Sequence, residues 1–522
     1  MTASPTILGK AMDPEPSTTV PGFFGTMRRT PDLTDLGSSA LSSGRFPHIP
    51  QPLLDRVGSL DPQALLAKST RRDAESFEHR FLQRISLGPS LTDLERIETL
   101  GPRQLLEEQL DPQGIDDFGL EELLEDALPT LTMTPFERLV NYNEDPQVPV
   151  FEFWVANIFR AIYTPRQLLE RMVVFWTDHF NVPVLSDLGI WLKPTDERQV
   201  IRAHALGRFP DLLRASAHSA AMLSYLTNDS NVKGHPNENY ARELMELHSL
   251  GVDGGYSEQD VKEVARCLTG WTFRPYQAGP AFGDFFFAAG EHDNDAKTVL
   301  GHAIPAGGGI VDGDTVLDIL ANHPSTARFI SQKMLRYFWG YEPSERAVER
   351  IAGIYQATGG DIKEMLRGIL SWGQLASATP KLKRPYHLVV SAMRALFAQV
   401  ENPFVLLAAL DQAGHVPYTW APPNGFPDSA GYWSGFVLPR WNFATMAASA
   451  GDDNIRLDLP FLTEAESPEE LRALLDLLLL NGTMSTETST AVLAFLDARP
   501  MNVPTVREAI ALVIASPEFQ NY

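Results

Sequence analysis

Cysteine is nearly absent: Cys267 is the single one in 522 residues. No intrachain disulfide can form. Zinc sites built on several thiolates are excluded, so any metal centre must rest mainly on histidine and carboxylate. Long apolar runs are missing too. No stretch approaches the 18 residues that a membrane-spanning helix needs. The first 25 residues lack a basic start followed by an apolar segment, so no signal peptide is expected and the expected location is cytoplasmic. Positive charge is scarce. Lys and Arg number 43 against 66 Asp and Glu, a net charge of −23. That balance argues against general nucleic-acid binding and against docking on anionic membranes, both of which need clustered cations. The partner is expected to be a small-molecule substrate or another protein. Familiar catalytic motifs are also lacking: G-x-G-x-x-G, Walker A, G-x-S-x-G and H-E-x-x-H do not occur. AGGGIVDG near Gly307 is too isolated for a phosphate loop, and DDFGLEE at Asp116 reads as a solvated acidic face.

What is present is ordinary globular composition, 44% hydrophobic and 21% charged. Residues 1–57 are rich in Pro, Ser and Thr without a sustained period and read as a flexible arm. Residues 58–450 read as the main helical domain. Residues 451–522 read as a C-terminal helical segment packed on it. The fold class is therefore mainly α, a large bundle-like arrangement of many helices. Helices are expected over 165–180, 210–226 and 238–250 among others, with Thr164 capping the first and Gly251 ending the last. Ser257 and Asp260 form a capping-box start for a helix over 258–268. Residues 274–310 break the pattern. FFFAAG and KTVLGHAI flank the polar turn EHDND and suggest an inserted β-hairpin. The loop at about 414–436, GHVPYTWAPPNGFPDSAGYWSGF, holds six aromatics among prolines and glycines and is expected to be ordered.

The densest chemistry lies in NENYARELMELHSLGVDGGYSEQDVKEVARCLTGW, from Asn237 to Trp271. Drawn as a helix at about 100° per residue, Tyr240, Leu244, Leu247 and Leu250 share a core-facing arc. Glu243 falls inside that arc, and Asn239 and Glu246 flank it. Arg242 points away. His248 lies roughly 140° from Glu243. A carboxylate on an apolar arc is costly unless it meets a cation, a metal or several donors. The bland reading of Glu243 is an ion pair with an arginine from a neighbouring helix, Arg171 or Arg202. His179 continues an inward stripe of Leu168, Met172 and Phe175; its bland reading is a hydrogen-bonded core histidine. His292 and Asp293 sit in the hairpin turn, where polar residues are common for local reasons. Taken together, His179, Glu243, Glu246, His292 and Asp293 form a mixed set of the kind that suits a divalent metal such as Fe, Mn or Zn. Glu243 leads as metal ligand or general base, and His179 follows as ligand or proton shuttle. Arg242 and His248 are the further catalytic candidates.

The same residues resemble a known family. The Asn237–Trp271 stretch looks like the signature of the bacterial domain of unknown function 1800. RMVVFWTDHFNV at Arg171, HDNDAKTVLG at His292, HPSTARFISQKMLRYF at His323 and KRPYHLVVSAMRAL at Lys383 are similar as well, and APPNGFPDSAGYW resembles the family's Pro-Asn loop. Where relatives commonly read Phe-Trp-His-Asn-His-Phe, this chain has Phe175, Trp176, Thr177, Asp178, His179 and Phe180, so one histidine is replaced by Thr177. The resemblance implies a mainly helical fold and no particular activity. The residues themselves lead to an enzyme with a buried His/carboxylate site, hydrolase or oxidoreductase. The alternative is a non-catalytic helical scaffold or ligand-binding protein whose buried charges are structural ion pairs.

Overall fold

The computed structural model describes residues 76–522 apart from 118, 450–453 and 458. The expected N-terminal arm lies outside the described residues. Helices dominate, joined by three two-stranded antiparallel sheets among the described residues. One contiguous apolar core runs from Phe77 on the first described helix to Phe519 near the end of the chain, taking in Leu471–Ile514 on the way. None of the described helices is long and apolar enough to cross a membrane.

Local chemistry sets most helix starts. Ser76, Ser90, Thr134 and Ser257 each accept a hydrogen bond from the backbone N–H three residues on, and the last three complete capping boxes. The 165–180 expectation is shifted at its start. The helix is Gln167–His179, and Thr164 instead accepts the N–H of Arg166 in the turn before it. The 210–226 expectation divides into Phe209–Ala217 and Ala220–Tyr225, with His218 and Ser219 between them.

The inserted β region pairs differently from the simple hairpin. Phe285–Phe287 turns back to Trp271–Phe273, whereas Lys297–Val299 pairs with His302–Ile304. Leu300 and Gly301 link the second pair with φ of 49° and 79°. That is the double positive-φ turn whose twist matches two strands joined by two residues. EHDND is therefore not the turn of a ladder. His292 is buried, and its Nδ1–H donates to the Thr269 carbonyl at 2.8 Å. Asp293 pairs with Arg266 at 2.7 Å. These anchors hold the segment against the end of the Glu258–Cys267 helix.

The helix from Glu238 stops at Glu246. The N–H groups of His248 and Leu250 then bond to Glu243 and Met245, each five residues back. Gly251 follows at φ 84°. This wider last turn changes the rotational phase of 247–250 relative to a straight helix.

Candidate functional site: a buried cationic cavity

Four stretches of chain meet around a cavity of about 200 Å³ lined by His79, Arg84, Lys383, Leu480, Phe519 and Tyr522 among others. The Phe77–Ile85 helix supplies His79 and Arg84. The extended stretch 381–384 runs antiparallel to 520–522: Lys381 and Tyr522 exchange backbone hydrogen bonds of 2.9 Å, and the Lys383 N–H donates to Gln520. Pro385 then opens the Pro385–Ala395 helix, which carries His387 and Ser391. Leu479, Leu480 and Thr483 complete the lining, while Arg440, on the Val437–Ser449 helix, stands behind the wall and reaches the Lys383 carbonyl. A smaller void of about 10 Å³ lies next to the cavity, bounded by Tyr337, Arg384, His387, His415 and Tyr522. The Tyr522 ring is thus a wall common to both spaces.

Charge is the distinguishing property of this place. Arg84, Arg171, Lys383 and Arg440 are all buried, and none forms an ion pair with a carboxylate side chain among the described residues. Their hydrogen bonds go to neutral oxygens. Arg84 donates Nη2 to the Thr379 carbonyl at 2.7 Å. Arg171 donates Nη1 to Ser86 at 3.0 Å. Arg440 reaches Gln520 and the Lys383 carbonyl at 2.9 and 2.7 Å. Lys383 Nζ donates to Ser391 Oγ at 2.9 Å and lies 4.1 Å from the centre of the Phe519 ring. The Nε and Nη1 of Arg84, the Nε and Nη2 of Arg171, the Nε of Arg440 and the Nε2 of His387 have no hydrogen-bond partner among the described residues. Arg84 and Arg171 stack on the Tyr522 ring at 4.6 and 5.0 Å, which returns part of the lost hydration.

Titration follows from this crowding. Burial pushes Arg84 and Arg440 down to about 10. Burial first, then the Arg171 and Arg440 charges, push Lys383 down to about 7. Burial works to raise the Tyr522 phenol, but the Lys381 and Arg171 charges outweigh it and hold the group below its usual 10. His387 is held neutral by burial and by the cations around it. Three carboxylates stand near, each engaged: Glu518, on the cavity wall, accepts from the Thr488 hydroxyl at 2.8 Å, Asp428 holds Lys381 at 2.8 Å, and Asp178 holds Arg384 at 2.6 Å. The latter pairing keeps Arg384 charged against the cost of its burial. The 414–436 loop closes over this region. Gly425 lies against Asp178 so tightly that a Cβ there would meet the Asp178 carbonyl oxygen at 2.1 Å.

The residues singled out from sequence fall into three separate groups. His179 is buried beside His248, with ring centres 6.1 Å apart. Lys333 Nζ has only donors, so it donates to His179 Nδ1 at 2.8 Å, and the proton of His179 sits on Nε2, facing the His248 carbonyl at 3.1 Å. Burial and Lys333 keep His179 neutral, and burial takes His248 down to about 3. Neither ring nitrogen of His248 has a hydrogen-bond partner among the described residues. The wheel put His248 on an opposite flank; the wide turn after Glu246 carries it inward instead.

Glu243 is half-buried rather than in the core, and burial with the neighbouring Glu246 raises its carboxyl. Its suggested partners are elsewhere. Arg202 is held by Glu170 and Glu197 at 2.5 and 2.9 Å, and Arg171 is in the cationic cluster. Arg242 bridges Glu258 and Glu238 on the outside. His292 forms the third group with Asp312 at 3.2 Å, and Asp312 in turn holds the buried Lys297 at 2.6 Å. Among the described residues no three His, Cys, Asp or Glu side chains gather closely enough to hold a metal ion. Thr177 is buried, and its hydroxyl has no hydrogen-bond partner among the described residues.

Sequence reasoning passed over Arg84, Lys383, His387, Arg440 and Tyr522 as site residues. One signal was available: KLKRP at Lys381 places three cations within four residues of an acidic chain, directly before a proline-started helix.

Against known proteins, residues 80–521 match the model of a family described as a protein of unknown function, DUF1800. No curated protein and no solved structure matches the chain.

Proposed function

We propose that this chain, which belongs to the DUF1800 family, binds a small anionic molecule in the cationic cavity and acts on it as an enzyme. One observation carries the reading: Arg84, Arg171, Lys383 and Arg440 are buried together without a carboxylate partner among the described residues. Unpaired buried cations cost several kcal/mol each unless a counter-charge arrives or the proton leaves. A bound carboxylate or phosphate supplies that counter-charge beside Arg84 and Lys383, the two of these cations that line the cavity. The enzymatic half of the reading rests on Lys383, which lines the cavity with the Ser391 hydroxyl as the hydrogen-bond partner of its amine among the described residues and is pushed down to about 7 by burial.

The test is thermal unfolding at fixed ionic strength with phosphate, pyruvate or benzoate replacing chloride. A saturable rise in Tm with at least one of these anions, lost in Arg84→Leu and Arg440→Leu, is the expected result. Equal melting in all four salts overturns the reading. A second reading, a non-catalytic helical scaffold, draws on the buried pairs Arg202–Glu170, Lys193–Asp196 and Lys297–Asp312. Under it, the same variants change stability but no anion does.

A further inference from the structure

We infer that Lys383 is a nucleophile that forms a Schiff base with an anionic carbonyl compound of the 2-oxo-acid class. This rests on the anion-binding reading and adds to it a reacting atom and a substrate class.

Lys383 differs from the other cations of the cavity in being able to lose its proton and in how it is held. Its backbone is fixed on both sides, the N–H donating to Gln520 and the carbonyl accepting from Arg440. Its Nζ makes one hydrogen bond, to the neutral Ser391 hydroxyl, and faces the Phe519 ring that also lines the cavity. No carboxylate among the described residues holds it as an ammonium. An amine enclosed by apolar and cationic neighbours is the environment in which lysine becomes nucleophilic at neutral pH. Its titration near 7 agrees with that geometry. A surface lysine at 10.4 is neutral in only about one molecule in 10³ at pH 7, whereas burial among cations favours the neutral amine of Lys383.

The substrate class follows from what shares the wall. Arg84 shares the cavity wall with Lys383 and carries a charge that no carboxylate side chain among the described residues holds, so it attracts a carboxylate. Leu479, Leu480 and Phe519 offer apolar surface for a short side chain. A carboxylate at Arg84 with a carbonyl carbon next to it at Lys383 describes a 2-oxo acid. In the reaction the neutral amine attacks the carbonyl carbon, the C–N bond forms, and the oxygen takes up a proton to give a carbinolamine. That hydroxyl leaves as water, and nitrogen retains one proton as the iminium. The balance is amine, carbonyl compound and one proton giving iminium and water, with no oxidant or reductant. The proton is taken from and returned to solvent, since the Tyr522 hydroxyl is turned to the Tyr337 carbonyl at 3.4 Å.

The experiment is reductive trapping on the full chain with pyruvate and sodium cyanoborohydride at pH 7, read by intact mass and peptide mapping. The expected product carries one reduced pyruvyl group, on Lys383, and is absent from Lys383→Arg, which keeps the charge. Trapping that is absent, or spread evenly over surface lysines, overturns the proposal. Pyruvate that raises Tm without trapping removes the nucleophile and leaves the anion site standing. Pyruvate, phosphate and benzoate all without effect on Tm remove both.

Discussion

Replacing Lys383 by methionine deletes a buried ammonium while keeping most of its volume, so the consequence can be worked from charge alone. Lys383 is 2% exposed. In the unfolded chain its amine returns to the ordinary 10.5, against about 7 in the fold. The unfolded state therefore binds the proton more tightly, and the folded state carries a penalty on the order of 5 kcal/mol below pH 7. The sign is that of a base whose pKa falls on folding. The penalty is fully present below about 7 and fades as pH rises toward 10.5, so stability climbs across that window. Urea unfolding of wild type and Lys383→Met at pH 7, 8, 9 and 10 isolates the contribution, because every other titrating group is common to both. The variant is expected to be the more stable at pH 7, with the difference shrinking steadily to pH 10. A variant that is less stable than wild type at pH 7, with a difference independent of pH, refutes the claim that Lys383 is an uncompensated cation.

Asp312→Leu leaves Lys297 buried without its carboxylate, and a loss of about 3–5 kcal/mol is expected in chemical denaturation; Lys297→Met on top of it should restore most of that, since the unpaired charge goes too. Glu243→Gln removes a half-buried carboxyl that no arginine holds, and stability should stay within about 1 kcal/mol of wild type. A larger loss in the melt of that variant would mean that the Glu243 carboxylate has a cationic partner in solution.

Most of the fold was legible because helix signals are local. The Ser257 and Asp260 capping box and the positive φ at Gly251 lie where residue type alone puts them. Where the reading slipped, a tertiary contact had overridden a local preference. Thr164 has the chemistry of a cap, yet the helix begins at Gln167, whose side chain is spent on Leu87, Ala161 and Thr164. EHDND has the composition of a hairpin turn, yet His292 and Asp293 are tied to Thr269 and Arg266, which drives the flanking segments into two separate ladders. The turn that does close a ladder, Leu300 and Gly301, lacks the Asn-Gly or Asp-Gly chemistry by which such turns are recognised.

The site was hidden for a different reason. A helical wheel holds only while hydrogen bonds stay four residues apart, and at His248 and Leu250 they reach five, so His248 moved inward while Glu243 stayed half-exposed. Composition misled more deeply. A net charge of −23 describes the whole chain and leaves open where its cations lie. Arg84, Arg171, Lys383 and Arg440 come from segments scattered between residues 77 and 449 and meet only in the fold. The two facts act together on a ligand. The acidic exterior repels an approaching anion, and that long-range repulsion is screened within about 10 Å at 0.1 M salt. The buried cations are screened far less. An anion bound here should therefore lose little affinity as salt rises, in contrast to one held at a basic surface patch, and that resistance separates occupancy of the cavity from adhesion to the outside.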